Sequence, residues 1–331
     1  MIHNNYDKKG GALLISLFIL IILSIIVGSL AVEMSIEGML QSNKKKKYKA
    51  EILAQSGIDF AKAIIEKQDE AQELEINDMT EDKDDFMKNA LFLKRGLNVL
   101  LDLSVTNMGN IKINIQTAET GRNINKLNRN QLIEIFEMAN IPSTEWNELV
   151  DCLHDWIDPG DLHRLNGAES DDQFYLDKGY RVKNSFVDSI EELLLIKNWN
   201  NDILYGREAD EEGDTIFGIS DLLTVWGDGK VNLNTASTNL LLSYAEYEEW
   251  ELSNIMQSRM GMDGISNTID DGIRSVEEVN ADPNKFKLQS DLLNITSTGI
   301  SGNIECEIKC IVKLEGTKPY IVYWDEEFKT K

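Results

Sequence analysis

The sequence predicts an α+β protein in which a long N-terminal helix and a small antiparallel sheet are interrupted by a large all-helical insertion. Residues 11–67 contain no proline and have the spacing of one continuous helix, apolar at first and amphipathic afterwards. Residues 111–116 and most of the chain after residue 288 alternate between apolar and polar side chains, which is typical of strands. Between these segments the apolar spacing is helical. Such an insertion is acceptable because loop-closure cost rises slowly with inserted length.

The composition limits the classes of function. The chain has 331 residues, with 33 Lys and Arg against 57 Asp and Glu, so its formal net charge is −24. This charge argues against nucleic-acid binding, because phosphate contacts need a basic surface. The 42% apolar content is that of a folded protein.

The three cysteines do not predict a disulfide scaffold. Cys306 and Cys310 lie in one predicted strand, about 13 Å apart, too far to bridge each other. Cys152 could pair with one of them only if the fold brought them together. Buried free thiols are the favoured interpretation.

The N-terminus carries a short basic leader and an apolar segment. Lys8-Lys9-Gly10-Gly11 precedes an uncharged stretch that ends at Val32. As a helix this stretch is about 33 Å long, enough to cross a bilayer. It could be a removed signal peptide, an ordinary membrane anchor, or a prepilin-type segment cleaved just before the apolar run. The stretch is long for a signal peptide and lacks a good cleavage site at its end. The third interpretation is favoured, because the leader ends in glycine and the apolar run follows at once.

Prepilin-type cleavage would fall after Gly10, making Gly11 the first residue of the mature chain. Cleavage between Gly11 and Ala12 is the alternative. The lysines after the apolar segment, at 44–47 and 49, outnumber those before it. The positive-inside rule would place that cluster in the cytoplasm, whereas a prepilin topology places it outside.

The amphipathic half of the long helix has one apolar face. An apolar face of this kind packs against another apolar surface. The residues of the face are Ala50, Leu53, Ala54, Gly57, Phe60, Ala61, Ile64 and Ile65. Small residues at 28, 29, 31 and 38 would permit close helix packing.

The remaining elements follow from periodicity and capping signals. Phe86 to Leu103 predicts a short helix, and Pro142-Ser143-Thr144 predicts a helix start with Ser143 or Thr144 as the N-cap. Further helices are predicted at 131–139, 189–197, 234–242, 250–259 and 276–279, and strands at 292–299, 304–314 and 320–324.

A cluster of acidic residues is a candidate calcium site. The two carboxylates at 155 and 158 share a helical face, and Pro159-Gly160 then turns the chain so that later carboxylates can converge. We rank Asp158, Asp161, Glu169 and Asp172 above Asp155, which could instead be structural. The alternative is a solvated acidic loop.

Two other functions find little support in the sequence. His154 with Asp155, or His163 with Asp161, could be drawn as an acid–base pair, but no nucleophile, phosphate loop or zinc spacing accompanies them, so we expect no enzyme. Val231 to Ser237 is similar to the opening of a helix-hairpin-helix, as in DNA receptors. The glycines expected in its hairpin are replaced by residues 244–250, which are rich in acidic and aromatic side chains, so DNA binding is a remote alternative and no nucleic-acid partner is expected.

An ordered set of motifs resembles the K-class minor pseudopilin of the type II secretion system (general secretion pathway protein K). The set comprises Gly11-Ala12-Leu13-Leu14, Gly121-Arg122-Asn123-Ile124-Asn125, Asp155-Trp156-Ile157-Asp158, Asn166-Gly167-Ala168-Glu169 with Tyr175, Ser189 to Leu193, Val231 to Ser237, and Val322 to Glu326. The resemblance implies a pseudopilin fold with helix-hairpin-helix or SAM-like pieces in its insertion. The domains are then a leader at 1–10, a transmembrane part at 11–32, the rest of the helix and the first part of the sheet domain at 33–127, an insertion at 128–287 and closing strands at 288–331.

The resemblance also implies a function. Most pseudopilins carry a glutamate at the fifth mature position, where this chain has Ile15, which suits a subunit at the filament tip. The implied role is non-enzymatic: initiating or limiting pseudopilus assembly for protein export. Implied partners are the I- and J-class minor pseudopilins, the major pseudopilin, the prepilin peptidase, which also methylates the new N-terminus, and the inner membrane, with the bulk of the chain in the periplasm. Calcium binding in the helical domain is implied as well. The resemblance further implies that partner subunits contact this chain through Ile15, through the apolar face of the long helix at residues 50–65, and through the small sheet. A type IV pilus minor pilin and a membrane-anchored adhesin are the alternatives.

Overall fold

The computed structural model describes residues 11–76, 85–209, 214–245, 247, 249–316 and 318–330. The predicted leader, including Gly10, lies outside the described residues.

Nine α-helices are found in the described parts of the chain. They are α1 (Gly11–Glu66), α2 (Gln68–Ile76), α3 (Asp85–Lys94), α4 (Arg129–Met138), α5 (Trp146–Ile157), α6 (Gln173–Lys178), α7 (Asn201–Tyr205), α8 (Thr238–Ala245) and α9 (Glu249–Arg259). Short 3-10 turns lie at Ile124–Lys126, Ile190–Leu195, Ser220–Leu222 and Val276–Val279.

Five long strands form one sheet, and six two-residue strands pair within the insertion. The strands are β1 (Val99–Val105), β2 (Gly109–Thr117), β3 (Arg122–Asn123), β4 (Gly206–Arg207), β5 (Ile216–Phe217), β6 (Leu223–Thr224), β7 (Val231–Asn232), β8 (Phe286–Lys287), β9 (Leu292–Ser301), β10 (Ile304–Glu315) and β11 (Lys318–Thr330). The main sheet has the order β1-β2-β9-β10-β11, and every neighbouring pair is antiparallel.

The C-terminal half of α1 packs across this sheet. Alternate residues of β2, β9 and β10 point toward the helix, because successive side chains of a strand face opposite sides. Contact is close where small residues meet: a Cβ added to Gly299 would lie 2.0 Å from the carbonyl oxygen of Ala50. The result is an aliphatic core between one helix and one sheet.

The insertion connects β2 to β9 and has a separate apolar core. Its first contacts come from Arg122–Asn123, which pair in parallel with Leu223–Thr224. The helical unit therefore includes residues before 128, where the sequence placed its start. The fold class agrees with the prediction. The chain has a long N-terminal helix and an antiparallel sheet, and the helical insertion lies between strands β2 and β9 of that sheet.

Local predictions differ from the structure at five places. The helix predicted to open at residue 234 begins at Thr238, and residues 276–279 form a 3-10 turn. The single helix predicted over 86–103 is a helix that ends at Lys94 followed by the edge strand β1. Helix α5 begins at Trp146, and neither Ser143 nor Thr144 caps it, because a turn closed by the Glu145 amide and the Pro142 carbonyl precedes the helix. Residues 190–195 form a 3-10 turn rather than an α-helix.

The three cysteines are free and buried. Cys152 lies in the core of the insertion, whereas Cys306 and Cys310 face α1 in the core under the sheet. No disulfide joins them.

Candidate functional site

The N-terminal half of α1 is an exposed apolar rod. Among the described residues this is the one helix long and apolar enough to cross a membrane, with mean hydropathy 3.0 in its most apolar window and none of that window buried. The hydroxyls of Ser16 and Ser29 donate to the carbonyls of Leu13 and Ile26, so these two side chains satisfy their hydrogen bonds within the helix. Ile15 is exposed here, as the prediction of a partner contact requires.

The apolar face of the C-terminal half of α1 is covered by this chain's own sheet. The residues predicted to meet partner helices at 50, 53, 54, 61, 64 and 65 are buried in that core, and Gly57 abuts Ser297 and Ile111. The prediction that this face contacts partner subunits is therefore wrong for these seven residues, because the face packs against the chain's own sheet. Phe60, at the margin of the face, is 37% exposed and packs edge-on against Phe86.

Three lysines after the apolar segment contact the end of the main sheet that carries the β1–β2 and β9–β10 turns. Lys46 Nζ donates to Asn303 Oδ1 at 3.1 Å, and Lys49 Nζ donates to the Asn107 carbonyl at 2.8 Å. Lys47 Nζ lies 3.9 Å from the centre of the Phe328 ring. The cluster that conflicted with the predicted topology thus has a structural role at two hairpins and the last strand.

We call residues 158–172, between α5 and α6, the acidic loop. It packs around Asp155, which is fully buried at the end of α5. Its carboxylate accepts hydrogen bonds from the backbone amide of Arg164, at 3.0 Å to Oδ2, and from the Arg164 guanidinium, at 2.6 Å to Oδ1. A Cβ at residue 167 would lie 1.8 Å from Asp155 Oδ2, so glycine is required there. This contact explains the motif Asn166-Gly167 that follows Asp155-Trp156.

Asp158 and Asp161 extend the cluster toward solvent. The Arg164 guanidinium also donates to Asp158. Burial raises the pKa of Asp158, but the hydrogen bonds from Arg164 and the Gly160 amide outweigh burial and hold that pKa below its ordinary value. Asp161 accepts a hydrogen bond from Asn184 Nδ2 at 3.3 Å, while the Oδ1 atom of Asn184 is buried without a hydrogen-bond partner.

Glu169 is the least satisfied group of the loop. Its side chain is buried, and neither carboxylate oxygen has a hydrogen-bond partner. Burial, together with the negative charges of Asp155, Asp158 and Asp161, raises the pKa of Glu169 to about 6. A buried carboxylate without a partner among other carboxylates is the arrangement that a cation would relieve.

Asp172 does not join this cluster. Its carboxylate caps α6 by accepting from the Phe174 amide and forms an ion pair with Lys197 at 2.7 Å. Its place in the predicted calcium site is therefore corrected, because the carboxylate is engaged elsewhere. Within the described residues no group of three or more His, Cys, Asp or Glu side chains is arranged so that it could hold a metal ion, and Arg164 lies between Asp155 and Asp158.

Sequence reasoning missed Asp151, which anchors the start of the loop. Asp151 is buried on α5 and accepts from the amide and side chain of Asn166 and from Arg129. The sequence signal was its i−4 position relative to Asp155, which puts both carboxylates on the loop-facing side of α5.

The segment predicted to resemble a helix-hairpin-helix has a structural role. Asn234 donates to the carbonyls of Arg95 and Ile273 and accepts from the Ile273 amide. The guanidinium of Arg259 donates to the Leu233 and Ala236 carbonyls. The bond to Arg95 joins the insertion to the residue that follows α3, and the others hold the insertion together internally.

The fold and the exposed apolar rod define an α+β protein with a helix-on-sheet domain, an inserted helical domain and a candidate membrane anchor. Residues 111–205 match the family model of type II secretion system (T2SS), protein K. The resemblance to the K-class pseudopilins that the motifs indicate is thereby confirmed over this segment.

A chain in the crystal structure of the GspK-GspI-GspJ complex from the enterotoxigenic Escherichia coli type 2 secretion system is similar, with 14% sequence identity and a TM-score of 0.49. The match covers 69% of this chain and 82% of that chain. No curated protein matches the sequence.

Proposed function

We propose that this chain is a non-enzymatic minor pseudopilin of the K class, anchored in the inner membrane by α1, that initiates or limits pseudopilus assembly together with I- and J-class subunits. The observation that carries the proposal is the match of residues 111–205 to type II secretion protein K. In this role residues 1–10 are removed, the new N-terminus is methylated, and the globular part lies in the periplasm. Ile15 in place of an acid suits a tip subunit, because a lone carboxylate in the bilayer needs a partner.

The exposed half of α1 supports the membrane role. Its large apolar side chains are exposed from Leu13 to Leu40, and only the half beyond residue 50 packs on the sheet. An apolar surface of this length is stable in lipid or against other apolar helices, but not in water.

Processing and partners can be tested in one preparation. The full chain is extracted from membranes of cells with an active prepilin peptidase, and its N-terminus is determined by mass spectrometry. We expect Gly11, or Ala12 if cleavage is one residue later, and co-purification of the other minor pseudopilins. An intact Met1 would contradict the processing, and a chain that purifies alone would favour an adhesin.

We also propose that the acidic loop binds Ca²⁺, since Glu169 is buried with both oxygens unpartnered. The described side chains are not arranged as a metal site, so binding requires Asp158 and Asp161 to turn toward Glu169. These three would then supply carboxylate oxygens, with Asn184 Oδ1 as a neutral ligand. Arg164 neutralises the charges of Asp155 and Asp158 without calcium. Glu169 is therefore the carboxylate whose ionised form a bound calcium ion would stabilise most.

Calcium titration with thermal melting tests this site. Ca²⁺ at millimolar concentration should raise the Tm of the full chain, because a ligand that binds only the folded state stabilises it. Glu169→Gln should abolish the rise, and Asp171→Asn, an exposed carboxylate of the same loop, should leave it intact. No rise in the unaltered protein, or an equal rise in Glu169→Gln, would remove the site.

A further inference from the structure

The last strand, β11, forms an open edge of the main sheet. It pairs with β10 along its whole length of 13 residues, and no strand of the described chain pairs with its other side. Backbone groups that point away from β10 therefore have no strand partner. Proteins usually shorten, charge or cover such an edge, because it can template pairing with another chain.

The N-terminal part of this edge, residues 320–324, is apolar on both faces. Five successive large side chains are between 41% and 50% exposed: Tyr320, Ile321, Val322, Tyr323 and Trp324. Pairing with Cys310 and Ile311 places Trp324 on the side of the sheet that faces α1 and Tyr323 on the opposite side. An added strand would thus find apolar contacts on either face.

Two features divide the edge into unequal parts. Pro319 has no amide hydrogen, and the pairing register shifts opposite Ile311 and Val312, so that Val322 is an extra residue in the strand. From Tyr323 to Thr330 the pairing with β10 is regular and contains no proline. A strand can therefore be added along these eight residues, with Tyr320 to Val322 as an apolar extension.

The regular part of the edge is acidic. Asp325, Glu326 and Glu327 are consecutive, and Glu327 pairs with Lys329 at 3.1 Å. Asp325 and Glu326 take part in none of the ion pairs formed among the described residues of this edge. Cross-strand charge pairs stabilise a sheet when they are opposite in sign and destabilise it when they are alike.

We propose that β11 is a docking site for an extended segment of another protein that carries Lys or Arg beside apolar side chains. The segment adds a sixth strand along Tyr323 to Thr330, with basic side chains opposite Asp325 and Glu327 on one face and apolar side chains against Trp324 on the other. Main-chain hydrogen bonds give affinity in this mode, and the flanking side chains give selectivity. A second copy of this chain is the alternative occupant, which the test below distinguishes. This inference goes beyond the proposed function and does not depend on it.

Peptide binding to the full chain in non-ionic detergent, at about 0.15 M salt, tests the inference. The probes are three labelled ten-residue peptides: alternating Lys and Val, alternating Glu and Val, and the Lys–Val peptide with one edge N-methylated. Fluorescence anisotropy should show binding of the Lys–Val peptide and none of the Glu–Val peptide. N-methylation should weaken binding at least about tenfold, because it removes the amide donors along the paired edge.

A matched pair of variants locates the site. Asp325→Lys should weaken Lys–Val binding at least about fivefold, because one attraction becomes a repulsion. Asp102→Lys makes the same change on β1, the opposite edge, and should have no effect. Equal binding of the N-methylated peptide, or equal losses in the two variants, would show that overall negative charge attracts the peptide and would overturn the inference. Self-association of the chain that disappears in Asp325→Lys would overturn it as well, because a second copy would then occupy the edge.

Discussion

The two cores of this protein are built on different principles. The core under the sheet lies between one long helix and five long strands, and it is almost entirely aliphatic. The core of the insertion is surrounded by short helices, 3-10 turns and two-residue strands. Buried polar side chains such as Arg122, Asn123, Asn234, Asp151 and Asp155 lie within or beside the second core.

The difference follows from how each region satisfies its backbone. Long helices and strands pair their own amides and carbonyls, so the first core needs only shape complementarity at contacts such as Gly299 against Ala50. Short elements leave many backbone groups unpaired, and side-chain amides and carboxylates complete their hydrogen bonds. The sheet domain should therefore be most sensitive to added volume, and the insertion to the loss of polar groups.

Added volume at the helix–sheet contact should have the largest effect. In Gly299→Ala the new Cβ would lie 2.0 Å from the Ala50 carbonyl oxygen and 2.5 Å from the Ala54 amide nitrogen. Both are backbone atoms, so α1 must shift, and we expect a loss of about 3 kcal/mol in the free energy of unfolding. Thermal unfolding in detergent measures it, with Gly38→Ala as the control, since nothing lies within 4 Å of a Cβ at Gly38. Equal stability of the two variants would contradict the close contact.

Loss of a polar group in the insertion should have the next largest effect. Asn234→Ala removes buried hydrogen bonds to the Arg95 carbonyl and to the amide and carbonyl of Ile273. We expect a loss of about 2–3 kcal/mol. Asn284→Ala, at an exposed turn, should lose less than about 0.5 kcal/mol in the same unfolding assay. A small effect at Asn234 would mean that polar groups do not hold the insertion together.

The buried carboxylate of the acidic loop predicts a pH dependence. Glu169 has an ordinary pKa of 4.5 and a pKa of about 6 in the folded chain, so the folded state binds the proton more tightly than the unfolded state. Stability without calcium should then fall as pH rises from about 4.5 to about 6, by about 2 kcal/mol for this group.

Glu169→Gln isolates this contribution. The variant should lose that part of the pH dependence and be the more stable protein at pH 7 without calcium. Unfolding curves from pH 4 to pH 7, measured in a chelator, provide the comparison. An unchanged pH profile in Glu169→Gln would show that Glu169 is not the group that titrates.

An exposed tether should have the smallest effect. Lys49→Ala removes the hydrogen bond from its ammonium to the carbonyl of Asn107, in the turn between β1 and β2. Because the contact is exposed, we expect a loss of about 0.5 kcal/mol, measured by thermal unfolding beside Lys45→Ala. A loss comparable to that of Gly299→Ala would show that the lysines, rather than the apolar contact, hold the sheet on α1.

The sequence predicts much of the fold, and the elements that it does not predict have physical causes. The long helix and the strands at 111–116 and 304–314 were predicted because long regular elements leave a clear period. Strand β1 was missed because Val99 to Val105 is a short leucine-containing run at a sheet edge, and such runs do not distinguish helix from strand by period. In the acidic loop, Asp155, Asp158 and Glu169 were identified from type and spacing, but the positions of Arg164 and Lys197 were not.

The sequence by itself determined which faces are apolar, where the candidate membrane segment lies, and which family the motifs of residues 111–205 resemble, because these properties depend on residues near one another in the chain. Only the tertiary structure decided what each face contacts. It packed the apolar face of α1 against the chain's own sheet and paired Asp172 with Lys197. Among the described residues it left the Glu169 carboxylate without a hydrogen-bond partner and the outer edge of β11 without a strand partner. Periodicity reports that a surface is buried, whereas the identity of its partner depends on contacts between residues far apart in sequence.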